Sequence, residues 1–209
     1  MAETALIARH PLESRRGLLD ALSADVAPTL RLELEEPLAT VDLRVEPDGD
    51  GPAAVGRAVG GPLPGRADTW TALPAGQALR LGPDEWLLTS TAARPQDWES
   101  EVDDAAAPYG GMAVDVSAQR TGLRIRGAAA RELLAFVCAL DLRPASFPRG
   151  RCAQTLCGQA PVLLAAHGDD DLQVLVRPSF AGYVVDRLVD AAEEYRTATP
   201  RSSTVEETP

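Results

Sequence analysis

The chain has 209 residues, of which 45% are hydrophobic and 24% charged. This is the composition of a folded globular protein, and the length suits one large domain or two small fused units. All 20 basic residues are arginine, set against 31 acidic ones for a net charge of −11; the lack of lysine excludes Schiff-base and lysine general-base chemistry and a Walker-type phosphate loop, and the acidic balance lacks the basic field that holds nucleic acid.

Taken in chain order, residues 29–35 (TLRLELE) alternate, with Leu30, Leu32 and Leu34 on one face, and residues 40–46 (TVDLRVE) repeat the pattern with Val41, Leu43 and Val45. Both have the period of a half-buried strand. PDGDGP supplies a turn, Ala53–Val59 reads as a short helix, and the Gly- and Pro-rich stretch Gly60–Pro74 reads as an ordered loop anchored by Trp70 and Leu73. Gln77–Leu81 and Glu85–Thr89 form a hairpin about Gly82-Pro83-Asp84, and Pro95–Ala107 opens on proline and carries acids as a surface helix does. Met112–Val116 and Leu123–Arg126 are short strands around SAQRTG, followed by a helix in AAARELLAFVCAL that places Cys138 on its apolar face. Strands follow at Ala153–Leu156, Pro161–Ala165 and Leu172–Arg177, with a turn at His167–Asp170. The last helix, Ser179–Tyr195, turns Phe180, Tyr183, Val184, Leu188, Ala191 and Tyr195 to one side.

Residues 39–117 thus read βαββαβ and residues 121–195 read βαβββα. The expectation is an α+β protein of two related, ferredoxin-like halves in a single domain over residues 29–196, with an N-terminal extension at 1–28 and a disordered tail at 197–209. No secretory signal is evident, and the longest apolar run, Leu133–Leu140, falls far short of the roughly 20 residues a bilayer needs. A cytoplasmic chain with reduced thiols and no membrane or nucleic-acid partner follows.

The chemistry-bearing residues are few. Asp84 and Glu85 are neighbours on a strand and point to opposite faces, so they read as turn residues before a buried Trp86. The Asp169–Asp171 run lacks the spacing of a calcium loop. His10 and His167 have no triad pattern around them, Cys152 and Cys157 face opposite sides of one strand, and Cys138 reads as a small core residue. No catalytic, cofactor-binding or metal-binding residue is assigned. What remains is an arginine set, Arg120, Arg124 and Arg126, alternating with Leu123 and Ile125; it reads either as a solvated strand face or as a surface for a partner protein, which arginine's planar fork suits.

Several stretches together resemble the γ subunit family of heterotetrameric sarcosine oxidase: ARHPLESR, VDLRVEP, LPGRADTW, LRLGPDEWLL, VDVSAQRTGLRIRGAAARELLAFVCALDLRP, FPRGRCAQTLCGQAPVLL and LQVLVRPSFAGYVVDRL. The resemblance spans residues 7 to about 192 and implies an aminomethyltransferase-like fold. It also implies a non-catalytic role beside α, β and δ subunits, which carry FAD, FMN, NAD and the tetrahydrofolate site for oxidative demethylation of sarcosine. A stand-alone folate-binding or aminomethyltransferase-like protein is the alternative that the fold resemblance alone implies.

Overall fold

In the computed structural model, which describes residues 10–197, the strands divide between two five-stranded antiparallel sheets. One has the order β3-β4-β5-β2-β6, with β2 at Ala39–Arg44, β3 at Thr69–Leu73, β4 at Gly76–Arg80, β5 at Glu85–Ser90 and β6 at Met112–Asp115. The other has the order β1-β7-β10-β9-β8, with β1 at Arg31–Leu34, β7 at Thr121–Arg126, β8 at Cys152–Cys157, β9 at Ala160–Gly168 and β10 at Asp171–Val176. Read from β6 in one sheet and from β1 in the other, the two orders are the same. Each half runs strand, helix, three strands, helix. Helices α2 (Gly51–Ala58) and α4 (Ala130–Ala135) follow the first strand of their halves; α3 (Pro95–Ala106) and α5 (Pro178–Thr197) follow the last. The first half closes its sheet with its own β6, while the second borrows β1 from the start of the chain. Strands β1 and β2, adjacent in sequence, therefore belong to different sheets.

The residues before position 29, read from sequence as an extension, bring in helix α1 (Arg16–Val26), which buries Leu19, Leu22 and Val26 against β1 and α5 in the same core as β7 to β10. The stretch Gly60–Pro74, expected as a loop, contains β3. Its Trp70 pairs with Leu79 of β4, and the β-branched and aromatic content of Thr69-Trp70-Thr71 outweighs the glycines and prolines before it. Helix α4 is shorter than its apolar pattern suggested. It ends at Ala135, and Cys138 lies beyond it in an isolated antiparallel bridge with Cys157. On α5 the buried face is Ala181, Val184, Val185, Leu188 and Ala192, packed against α1, α4 and the second sheet, while Phe180 and Tyr183 stay partly exposed, the Tyr183 hydroxyl accepting from Gln159 N–H at 3.2 Å. The tail expected to be disordered falls outside the described residues from position 198 onward.

Three apolar clusters define four layers. Helices α2 and α3 cover one face of the first sheet over Val41, Leu43, Trp86 and Leu88. Helices α1, α4 and α5 cover the second sheet over Leu123, Ile125, Val162, Leu164 and Val174. Between the sheets, Leu79 and Leu87 of the first half meet Cys152, Leu163, Ala165 and Leu175 of the second. Strands β5, β9 and β10 are thus buried on both faces, which explains their continuous apolar runs. Cys152 and Cys157 indeed lie in different clusters. No helix among the described residues is long and apolar enough to cross a membrane.

Candidate functional site

Strand alternation sends Leu123 and Ile125 of β7 under the helices and turns Gly122, Arg124 and Arg126 toward the layer between the sheets. Arg124 uses that position fully. Its Nε and Nη2 engage both oxygens of Asp171 on β10, the latter at 2.9 Å, and its Nη1 donates to Glu35 Oε1 at 3.3 Å. The Arg124 side chain is only 13% exposed, so its guanidinium is engaged within the chain. Glu35 reaches it across Gly122, where a side-chain Cβ would stand 2.3 Å from Glu35 Oε2.

The network continues into the interior. Gln173 on β10 donates to Glu35 Oε2 at 2.6 Å, and its own carbonyl oxygen accepts from Gln77 Nε2 of β4 at 2.6 Å. His167, at the end of β9 rather than in the expected turn, sits 3.4 Å from the same oxygen and lies against the Trp70 ring with centroids 4.2 Å apart. Trp70 in turn donates to Ala166 O at 2.9 Å. Glu35, Gln77, Thr89, Arg124, His167 and Gln173 line a cleft of about 300 Å³ between the halves.

Burial, reinforced by the charges of Arg124 and Arg126, pushes the His167 imidazole down to about 4, so it is neutral at pH 7. Burial alone would raise the Asp171 carboxyl, but its hydrogen bond and ion pair with Arg124, with Arg126 and His167 adding, hold it below the ordinary carboxylate range. At the wall of the cleft one arginine, Arg124, is thus shared between the side chains of Glu35 and Asp171, beside the Gln77 and Gln173 amides and a neutral imidazole. That is the chemistry of an internal clamp.

Arg126 and Arg120 behave differently. Arg126 bonds Glu33 of β1 at 2.5 Å and lies 3.4 Å from Asp171, yet its side chain stays 47% exposed. Arg120 precedes β7 and forms no ion pair within 4 Å among the described residues. Burial and Arg177 lower its affinity for the proton, and Asp42 and Glu85 oppose them. Asp42 itself, on the inter-sheet face of β2, is pushed up by burial against the pull of Arg44 and Arg120, and its Oδ1 has no hydrogen-bond partner. Beside it, Val114 of β6 pairs with Asp42 and Met112 with Arg44. Met112 and Val114 are 59% and 49% exposed, on a rim of the first sheet that the second does not cover. The three arginines of the sequence motif thus divide between a clamp and a rim.

Residues Glu35, Gln77, His167, Asp171 and Gln173 were not singled out in the sequence as a group. The signal available was a glutamine inside the apolar run LQVLV, since a polar side chain there must find a buried partner. Among the described residues no group of three or more histidines, cysteines, aspartates and glutamates is placed to hold a metal ion.

Comparison with known proteins gives one consistent picture. The model of the sarcosine oxidase, gamma subunit family matches residues 46–194. The sarcosine oxidase subunit gamma of Corynebacterium sp. (strain U-96) is 32% identical over 201 residues, spanning 95% of this chain and 96% of that one. The same subunit of Corynebacterium sp. (strain P-1) is 32% identical over 197 residues, 93% of this chain and 95% of that one. Among solved structures, heterotetrameric sarcosine oxidase from Corynebacterium sp. U-96 in complex with pyrrole 2-carboxylate contains a chain that superposes with a TM-score of 0.84 at 29% identity. The match covers 94% of this chain and 100% of that chain. Aminomethyltransferase T of the glycine cleavage system from Bartonella henselae superposes with a TM-score of 0.60 at 12% identity, over 81% of this chain and 48% of that one, and so shares the fold alone.

Proposed function

Since the chain belongs to the sarcosine oxidase gamma subunit family, we propose that it is a non-catalytic assembly subunit of a heterotetrameric, flavin-dependent sarcosine oxidase. Its partners are then alpha, beta and delta chains that carry FAD, FMN, NAD and the tetrahydrofolate site. The assembly oxidatively demethylates sarcosine to glycine and passes the formaldehyde to tetrahydrofolate on a neighbouring chain. A cytoplasmic location belongs to the same reading. The observation that carries it is the end-to-end likeness to one chain of a solved heterotetramer, at a TM-score of 0.84.

The chain's own strand-to-helix turns do not fit a dinucleotide phosphate. Such a group sits where glycine leaves room over free helix N-terminal amides. After β7, however, a Cβ on Gly127 would stand 2.4 Å from Thr29 O, and that carbonyl already accepts Ala129 N–H at 3.1 Å. After β2, a Cβ on Gly51 would stand 2.4 Å from the Val45 side chain, and Asp48 and Asp50 precede it. Both places are filled from within the fold, which supports putting the flavins and NAD on the partner chains.

The rim formed by Met112, Val114, Asp42 and Arg120 is the surface this reading gives to a partner chain, with Arg126 as a further contact. An apolar pair flanked by an incompletely paired acid and an arginine has the make-up of an interface centre and its polar edge. Arg124, engaged internally, holds the strand that presents them. The folate-binding or aminomethyltransferase alternative rests on fold likeness at 12% identity and is not favoured.

Affinity purification of the full chain from cells co-expressing its candidate partner chains tests the proposal. The expected result is co-elution in equal amounts, with flavin absorbance confined to fractions that contain the partners. A chain that elutes alone, or that carries flavin absorbance by itself, overturns it.

A further inference from the structure

Cys138 and Cys157 face one another across an isolated antiparallel bridge where the segment after α4 meets the end of β8. The hydrogen bond beside them runs from Gly158 N–H to Val137 O at 2.6 Å. The flanking residues, not the cysteines, therefore make the ladder bonds, and Cys138 and Cys157 are the non-hydrogen-bonded pair. In such a pair the Cα atoms approach to about 4.5 Å and the side chains are closest, inside the range of about 4.4–6.8 Å that disulfides span. Cys152 belongs to the cluster between the sheets, on the opposite side of β8 from Cys157.

We propose that Cys138 and Cys157 are a peroxide-sensitive thiol pair that closes reversibly to a disulfide. In the first step the Cys138 sulfur attacks one oxygen of hydrogen peroxide; an S–O bond forms, the O–O bond breaks, and the departing hydroxide takes up the thiol proton as water. In the second step the Cys157 sulfur attacks the resulting sulfenic acid, the S–S bond forms, the S–O bond breaks, and a second water leaves. Two thiols lose two electrons and two protons in total, and one peroxide is reduced to two waters. The order of attack follows from the surroundings. Cys138 retains 5% exposure while Cys157 has none. The proximity of Cys157 and of Thr155 Oγ1, the latter 3.7 Å from the Cys138 sulfur, lowers the Cys138 thiol, whereas the neighbouring Cys138 and burial push the Cys157 thiol up.

The bond would tie the segment after α4 to the end of β8 and close the loop between them, which Arg131 already pins through Leu142 O and Phe147 O. The test treats the folded full chain with hydrogen peroxide and reads intact mass, then maps peptides without reduction. The expected result is the loss of two hydrogen masses, a crosslinked peptide pair containing Cys138 and Cys157, a free Cys152, a raised melting temperature, and full reversal by dithiothreitol. Cys152→Ser should keep the crosslink, and Cys138→Ser or Cys157→Ser should abolish it. Peptide mapping of the unmutated chain decides the matter even if a variant fails to fold. The proposal is overturned by sulfinic or sulfonic acid at Cys138 beside an unmodified Cys157, by a crosslink containing Cys152, or by no change in the folded chain under conditions that oxidise the unfolded one.

Discussion

Gln77 of β4 donates its side-chain amide to the carbonyl oxygen of Gln173 of β10 at 2.6 Å, although both residues are almost wholly buried between the sheets. The two halves are thus joined in their interior by a polar bond as well as by apolar packing. Gln173 is the more heavily used of the two, because it also donates to Glu35. Gln173→Leu leaves Glu35 and Gln77 each short of a partner and is expected to cost about 3 kcal/mol, against about 1 kcal/mol for Gln77→Leu. Urea denaturation of both variants checks this, and equal losses would contradict the hub role of Gln173.

Arg124 and Arg126 are two residues apart on one strand face, yet they should respond differently to truncation. Arg124→Met leaves Glu35 and Asp171 facing each other without their shared cation, and the expected destabilisation is about 3 kcal/mol. Arg126, half exposed and paired at the rim, should cost less than about 1 kcal/mol when replaced by Met. The comparison of denaturation midpoints distinguishes the clamp from the rim.

The pH dependence follows from His167. Its folded value, about 4, lies below the unfolded 6.5, so the unfolded chain binds the extra proton and stability is complete above pH 6.5. It declines as the pH falls toward 4, by something on the order of 2 kcal/mol after solvent screening is allowed for. The depressed Asp171 carboxyl adds a further loss below pH 4, where it too becomes protonated. His10, also lowered by burial, has the same sign, so the decisive measurement is a difference. The His167→Gln variant should show a flatter stability curve than the unmutated chain between pH 6.5 and 4. Parallel curves for the two would refute the assignment.

The halves were legible in the sequence because strands with one solvated side alternate, as TVDLRVE does, and because α5 has a clear helical period. Three features were hidden for separate physical reasons. Strand β3 lies among prolines and glycines, and its pairing with β4 supplies an order that local composition does not. The place of β1 in the second sheet is a long-range pairing, Leu32 with Ile125 and Glu33 with Arg124, that no local pattern encodes. The alternating arginines of β7 carry the same signature whether the polar face meets water, a partner or another sheet. Only the position of Glu35, Asp171 and Gln173 separates Arg124 from its neighbours. The facing of Cys138 with Cys157 is masked in the sequence because the apolar period of AAARELLAFVCAL continues past the point where the helix stops.

Helix α5 closes the second half over α1 and α4, with Leu188 fully buried. Leu188→Ala is expected to cost about 2–5 kcal/mol, visible as a lowered thermal midpoint. The same substitution at exposed Leu18 should change it little.

The proposed assembly of this chain with partner chains is read directly as the mass of the co-expressed complex by size-exclusion chromatography with light scattering. The unmutated chain should elute with its partner chains at the mass of a heterotetramer. The Met112→Asp, Val114→Asp double variant should melt within a few degrees of the unmutated chain, since both sites are exposed on an edge strand. Its share in the complex should nevertheless fall at least tenfold, because charges placed at an interface centre cost about 1.4 kcal/mol or more of association. Elution of the unmutated chain as a lone monomer beside a complete, active complex of the remaining chains would contradict the account.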